Sequence, residues 1–161
     1  MRVRAQTVGE TLRKDHRVLE RLADEFDRSR LRASSDLRRR LAAALEIVGP
    51  ALAAHKAIET AALGASSAPR PPQWRETLLS AELQRDRIAS LAKDMAILVS
   101  DPVRYRLEHL AALSFTLSKA LRELLAFEAV QVWDACPELT EAAPVPALSA
   151  LRRVEGMLGR L

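Results

Sequence analysis

The chain has 161 residues, enough for one domain with a sizeable core, and 29% of them are charged. It carries a net charge of +4, only 4% aromatics and one cysteine. A single cysteine excludes an intrachain disulfide and a CxxC metal motif. No apolar run approaches the roughly 18 residues that span a bilayer, and no apolar stretch follows the basic N-terminus as it would in a secretory signal. A cytoplasmic location with no membrane partner is therefore expected. The basic excess is arginine scattered from Arg2 and Arg4 through Arg38, Arg39 and Arg40 to Arg152 and Arg153. Without a reading motif or stacking aromatics, that scatter reads as solvated helix faces, and nucleic acid is not an expected partner.

Apolar residues recur every three or four positions and nothing alternates at two, so the predicted fold class is all-α. The first helix is expected over about 7–30, with the inward stripe Leu12, His16, Leu19, Ala23 and Phe26. Ser34, Ser35 and Asp36 offer an N-cap for the second helix, whose stripe is Leu41, Leu45, Val48, Leu52, His55, Glu59 and Ala62. Pro50 lacks the amide that would bond Glu46, which predicts a kink. The Ala, Ser and Pro of 64–72 form a loop. A third helix follows over about 73–99, with Leu78, Ala81, Ile88, Leu91, Met95 and Leu98 inward. Asp101 and Pro102 open a fourth, which Pro137 stops. Its stripe reads Leu110, Leu113, Leu117, Ala120, Leu124, Phe127 and Gln131.

Four long helices with short connections make an up-down-up-down bundle over 1–137. A Pro-rich connector and a short amphipathic helix complete 138–161, with Leu148, Leu151, Val154 and Leu158 on one side. That last helix packs on the same domain or on a partner, either another protein or a second copy.

Chemistry is sought where polarity invades a core stripe. His55 and Glu59 stand one turn apart on one face, and His16 interrupts the first stripe. A buried carboxylate beside an imidazole is costly without a partner. A divalent metal is one solution, since both groups ligate iron, manganese or zinc. The plainer solutions are a His55–Glu59 hydrogen bond or a buried arginine paired with Glu59.

The stretches GETLRKDHRVLERLADEF and ALAAHKAIETAAL resemble the first two helices of hemerythrin-like, or HHE cation-binding, domains, the second through its H-x-x-x-E. LLAFEAVQVWDACP resembles the end of their fourth helix. The resemblance implies a bundle holding two carboxylate-bridged irons, used for oxygen binding, sensing or related redox roles. By position it makes His16, His55 and Glu59 metal ligands. The other half of the set is replaced: Gln84 or Arg85 stands where the third helix supplies a histidine, and Phe127 and Gln131 where the fourth supplies histidine and glutamate. His109 does not restore the site, because it lies five turns, roughly 27 Å, before Phe127. Glu128 falls one residue off the expected ligand position and is expected to border a neighbouring helix. Glu82 and Asp86 lie off the inward stripe.

Two accounts follow. In the first, no cofactor is bound: Arg85 pairs with Glu59, Gln131 and the histidines fill hydrogen bonds, and Phe127 fills volume. The chain is then a non-enzymatic interaction or regulatory module. In the second, His16, His55 and Glu59 hold one iron, manganese or zinc ion that senses or handles oxygen, peroxide or iron. No nucleophile elbow, phosphate loop or dinucleotide motif is present. Cys136 has no activating base beside it and reads as an inert thiol.

Overall fold

The computed structural model describes residues 6–29, 34–65, 72–101, 107–133 and 143–161. It is all-α: α1 spans Val8–Ser29, α2 Ser34–Ala65, α3 Trp74–Ser100, α4 Leu107–Glu128 and α5 Val145–Leu158, with a π-helical turn, Ala129–Trp133, continuing α4. No β-sheet occurs among the described residues.

α1 begins at a reciprocal cap. The Glu10 amide donates to Thr7 Oγ1 at 3.2 Å, and the Thr7 amide donates to Glu10 Oε2 at 2.9 Å. Two orphan donors are thereby satisfied at one helix start. α2 runs without interruption through Pro50, whose missing amide falls on an exposed turn. The expected opening of α4 at Pro102, the stop at Pro137 and Cys136 lie outside the described residues.

Each of the first four helices packs on its neighbours in sequence, and α4 closes back onto α1. The core between them is apolar, with Leu19, Leu22, Phe26, Leu41, Ile58, Ile88, Met95, Leu117, Leu121 and Leu124 fully buried. α5 lies across α1 and α2 and buries Ala147, Leu151, Val154 and Leu158. Of the predicted α5 stripe, Leu148 is only partly buried, and Ala147 takes its place. Trp74 packs against Val132, closing the end of the bundle where the π-turn lies.

α2 is the central helix, in contact with α1, α3 and α5. That placement explains a departure from the hydropathy reading: Asp36–Gly64 is long and apolar enough by composition to cross a membrane. More than half of its apolar window is buried inside the bundle, so the apolarity is what a core helix with three neighbours requires.

α1 buries two adjacent stripes because it faces both α2 and α4. The second stripe is Thr11, Asp15, Val18, Leu22, Glu25 and Ser29. This wide face positions two acidic side chains in the interior, and the first of them lies in the candidate site.

Candidate functional site

Five ionisable side chains from four helices form a continuous buried chain: Asp15 (α1), His55 (α2), Glu128 (α4), Arg85 (α3) and Glu59 (α2). His55, with no solvent exposure, sits between two carboxylates. Its Nδ1 lies 2.5 Å from Asp15 Oδ2, and its Nε2 lies 2.7 Å from Glu128 Oε2. The first contact has hydrogen-bond geometry. The second is close but not aligned as a hydrogen bond. Arg85 Nη1 then donates to Glu128 Oε1 at 3.0 Å and to Glu59 Oε2 at 2.5 Å.

His16 lines the edge of this chain, at 18% side-chain exposure. Its Nε2 is 3.7 Å from Glu128 Oε2, and its ring centroid is 5.6 Å from that of His55. A cleft of about 450 Å³ between α1 and α4 reaches it, flanked by Glu20, Asp24, Arg122 and Ala126.

The electrostatics follow from burial and partners. Burial alone would lower the His55 pKa. The Asp15 hydrogen bond, the Glu128 contact and both negative charges outweigh it and raise the pKa to about 10. His55 is thus an imidazolium at neutral pH in the metal-free protein. His16 moves the other way, lowered by burial and then by the positive charge of His55. Glu59 is raised by burial and by the Glu128 charge, against the opposing pull of Arg85. Three carboxylates thus face two cations, with a neutral imidazole beside them.

The sequence-predicted residues sort clearly. His55 and Glu59 are buried one turn apart, and Arg85 rather than Gln84 faces the interior. Gln84 is half-buried. Glu82 is an exposed partner of Lys56 at 2.5 Å, Asp86 is exposed, and so is His109.

The α4 positions require a correction. Phe127 is only half-buried and Gln131 is exposed, so neither fills the expected ligand positions. The inward residue is Glu128, with no exposure at all. The expected stripe advances about 3.5 residues per turn, as in a supercoiled seam, whereas a straight helix needs 3.6. Over three heptads that slip reaches about 60°. Leu110 lies 18 residues, five full turns, before Glu128. Counting from that buried leucine points to the glutamate. Asp15 lies on the second buried stripe of α1, outside the one that the apolar periodicity marks.

Two groups of potential ligand atoms lie within 4.8 Å of one another: Asp15, His16 and His55, and His55, Glu59 and Glu128. His55 Nε2, Glu59 Oε1 and Glu128 Oε2 are all buried without a hydrogen-bond partner among the described residues. Such a donor set fits one divalent ion. Asp15 holding Nδ1 would fix the His55 tautomer, as carboxylates do behind metal-bound imidazoles. The same residues do not fit two ions, because the Arg85 guanidinium lies between the two carboxylates that a second ion would need.

Searches of this sequence against protein-family models, curated proteins and solved structures find no match.

Proposed function

We propose that the chain is a divergent hemerythrin-like bundle that has lost a two-metal site and acts as a non-enzymatic interaction or regulatory module. The observation that carries this reading is Arg85, at the position where the resemblance expects a metal-binding histidine, bonded to both Glu59 and Glu128. A tethered cation there neutralises the carboxylates that would otherwise bridge two ions. Up-down-up-down connectivity is part of the reading. Its support is the order of the contacts: Asp15 with His55 and Glu25 with Arg40 between α1 and α2, and Lys56 with Glu82 and Arg38 with Val99 between α2 and α3. His16 with Glu128 and Asp24 with Arg122 give the same order between α1 and α4. The partner is a second protein or a second copy of the chain.

The test is metal analysis of protein purified without chelator, with its visible and near-UV spectrum and its melting temperature with and without EDTA. Colourless, metal-free protein with one melting temperature is the expected result. Stoichiometric metal that disappears in His55→Ala overturns the reading.

A second reading is favoured by Glu59 Oε1, which has no hydrogen-bond partner among the described residues, and by His55 Nε2 and Glu128 Oε2, which contact each other without hydrogen-bond alignment. In it, these residues and His16 hold one iron, manganese or zinc ion, which would act on oxygen, peroxide or iron itself. The cleft between α1 and α4 would admit the small molecule, and neutral His16 is in the protonation state that ligation needs.

A further inference from the structure

The second acidic residue that α1 buries, Glu25, anchors a separate cleft. Its side chain is 7% exposed. Arg40 Nη1 from α2 lies 2.8 Å from Glu25 Oε1, and Arg28 Nη1 lies 3.5 Å from Glu25 Oε2. Arg21, two turns before Arg28, lines the same cleft and is exposed. Among the described residues it has no ion pair. Leu158 and Leu161 at the end of α5 complete the wall.

The cleft holds about 220 Å³ and its surface is mostly polar. Three guanidiniums line it with the buried Glu25, and Arg28 also lies 3.9 Å from Asp24, which leaves the Arg21 charge uncompensated in a small partly enclosed space. Glu25 does not use up the donors it holds, since a guanidinium presents five N–H groups in a planar fork. The remaining N–H groups match the oxygens of a phosphate or carboxylate in paired geometry. Glu25 orients Arg40 through a hydrogen bond, so part of the ordering entropy is already spent before a ligand arrives.

We propose that this cleft binds a small oxyanion of the phosphate class, either the free ion or a phosphomonoester whose carbon end rests on Leu158 and Leu161. The site is separate from the buried charge chain, so its failure and that of the functional reading above are independent.

The experiment is a titration of the full chain with inorganic phosphate and with ethyl phosphate, followed by amide chemical shifts at constant ionic strength, with chloride as control. Saturable shifts confined to α1, α2 and α5 around Glu25 are expected, with a dissociation constant on the order of 1 mM. Tighter binding of ethyl phosphate identifies a phosphorylated small molecule as the source, and tighter binding of inorganic phosphate identifies the free ion. Arg21→Gln should weaken binding roughly tenfold, the loss of one charge-assisted hydrogen bond, and Arg21→Gln with Arg28→Gln should abolish it. Both residues are exposed, so the variants should keep the parent's melting temperature. Shifts that grow linearly with anion, match those from chloride, or persist in the double variant overturn the proposal.

Discussion

His55 Nδ1 and Asp15 Oδ2 lie 2.5 Å apart in a place where neither side chain meets solvent. This contact joins α1 to α2 and sets the direction of the opposite ring nitrogen, which lies 2.7 Å from Glu128 on α4. Asp15→Asn keeps the shape and removes the charge. It should destabilise the fold by about 3 kcal/mol, since it weakens a buried ion pair on one side only. Denaturant unfolding measures it; a change below 0.5 kcal/mol, the range of ordinary surface substitutions, would show the pair to be energetically idle.

The same contact predicts how stability depends on pH. The folded pKa of His55, about 10, lies above its ordinary value of 6.5. The folded state then holds one more proton than the unfolded state between those values. The stabilisation is fully present below pH 6.5 and is lost as pH rises through 10. The slope should approach about 1.4 kcal/mol per pH unit within that window. Unfolding of chelator-treated protein at a series of pH values checks it, and His55→Gln should flatten the profile.

Arg85→Leu leaves Glu59 and Glu128 facing each other without their shared cation. A loss of about 3–5 kcal/mol is expected, the usual effect of removing one partner from a buried pair. Adding Glu59→Gln should recover part of it, because the carboxylate left without a cation is then gone. A double-mutant cycle reads that coupling directly.

Arg85→His tests the cation from the opposite side. It replaces a permanent positive charge with an imidazole that can give up its proton to a metal ion beside two carboxylates. The variant should bind cobalt(II) more tightly than the parent, read as visible absorption bands on titration. Equal affinity in the two proteins would mean that Arg85 does not control access of a cation to the carboxylates.

The register of α4 makes a further contrast. Glu128→Leu should cost several kcal/mol, because it removes the carboxylate shared by His55 and Arg85 and leaves each buried cation with one partner, Asp15 and Glu59 respectively. Gln131→Ala, three residues later on an exposed position, should change stability by less than about 0.5 kcal/mol. Thermal melts of the two variants suffice.

How far the sequence reveals this arrangement depends on the number of neighbours each helix has. The α2 stripe was legible throughout, from Leu41 to Ala62, because apolar residues flank His55 and Glu59 on both sides and every member of the stripe is buried. Arg85 was legible only as one of two adjacent alternatives, since a half-buried face begins at Gln84. Glu128 was hidden because its own face carries Ser114 and Ser118, whereas the neighbouring stripe from Leu110 to Phe127 is apolar throughout. Asp15 was hidden because it lies on the second buried stripe of α1, where Thr11, Glu25 and Ser29 make the pattern polar although the face packs inside the bundle.

The cation between Glu59 and Glu128 is part of the polypeptide. A dissociable ion stabilises a fold only in proportion to the logarithm of its free concentration over its dissociation constant. Arg85 has no such dependence: every newly synthesised chain carries its own counter-charge, at full occupancy. Scarcity of metal in the surroundings cannot withdraw it, a chelator cannot compete for it, and a change of redox state cannot alter its charge. The counter-charge between Glu59 and Glu128 is therefore independent of metal supply.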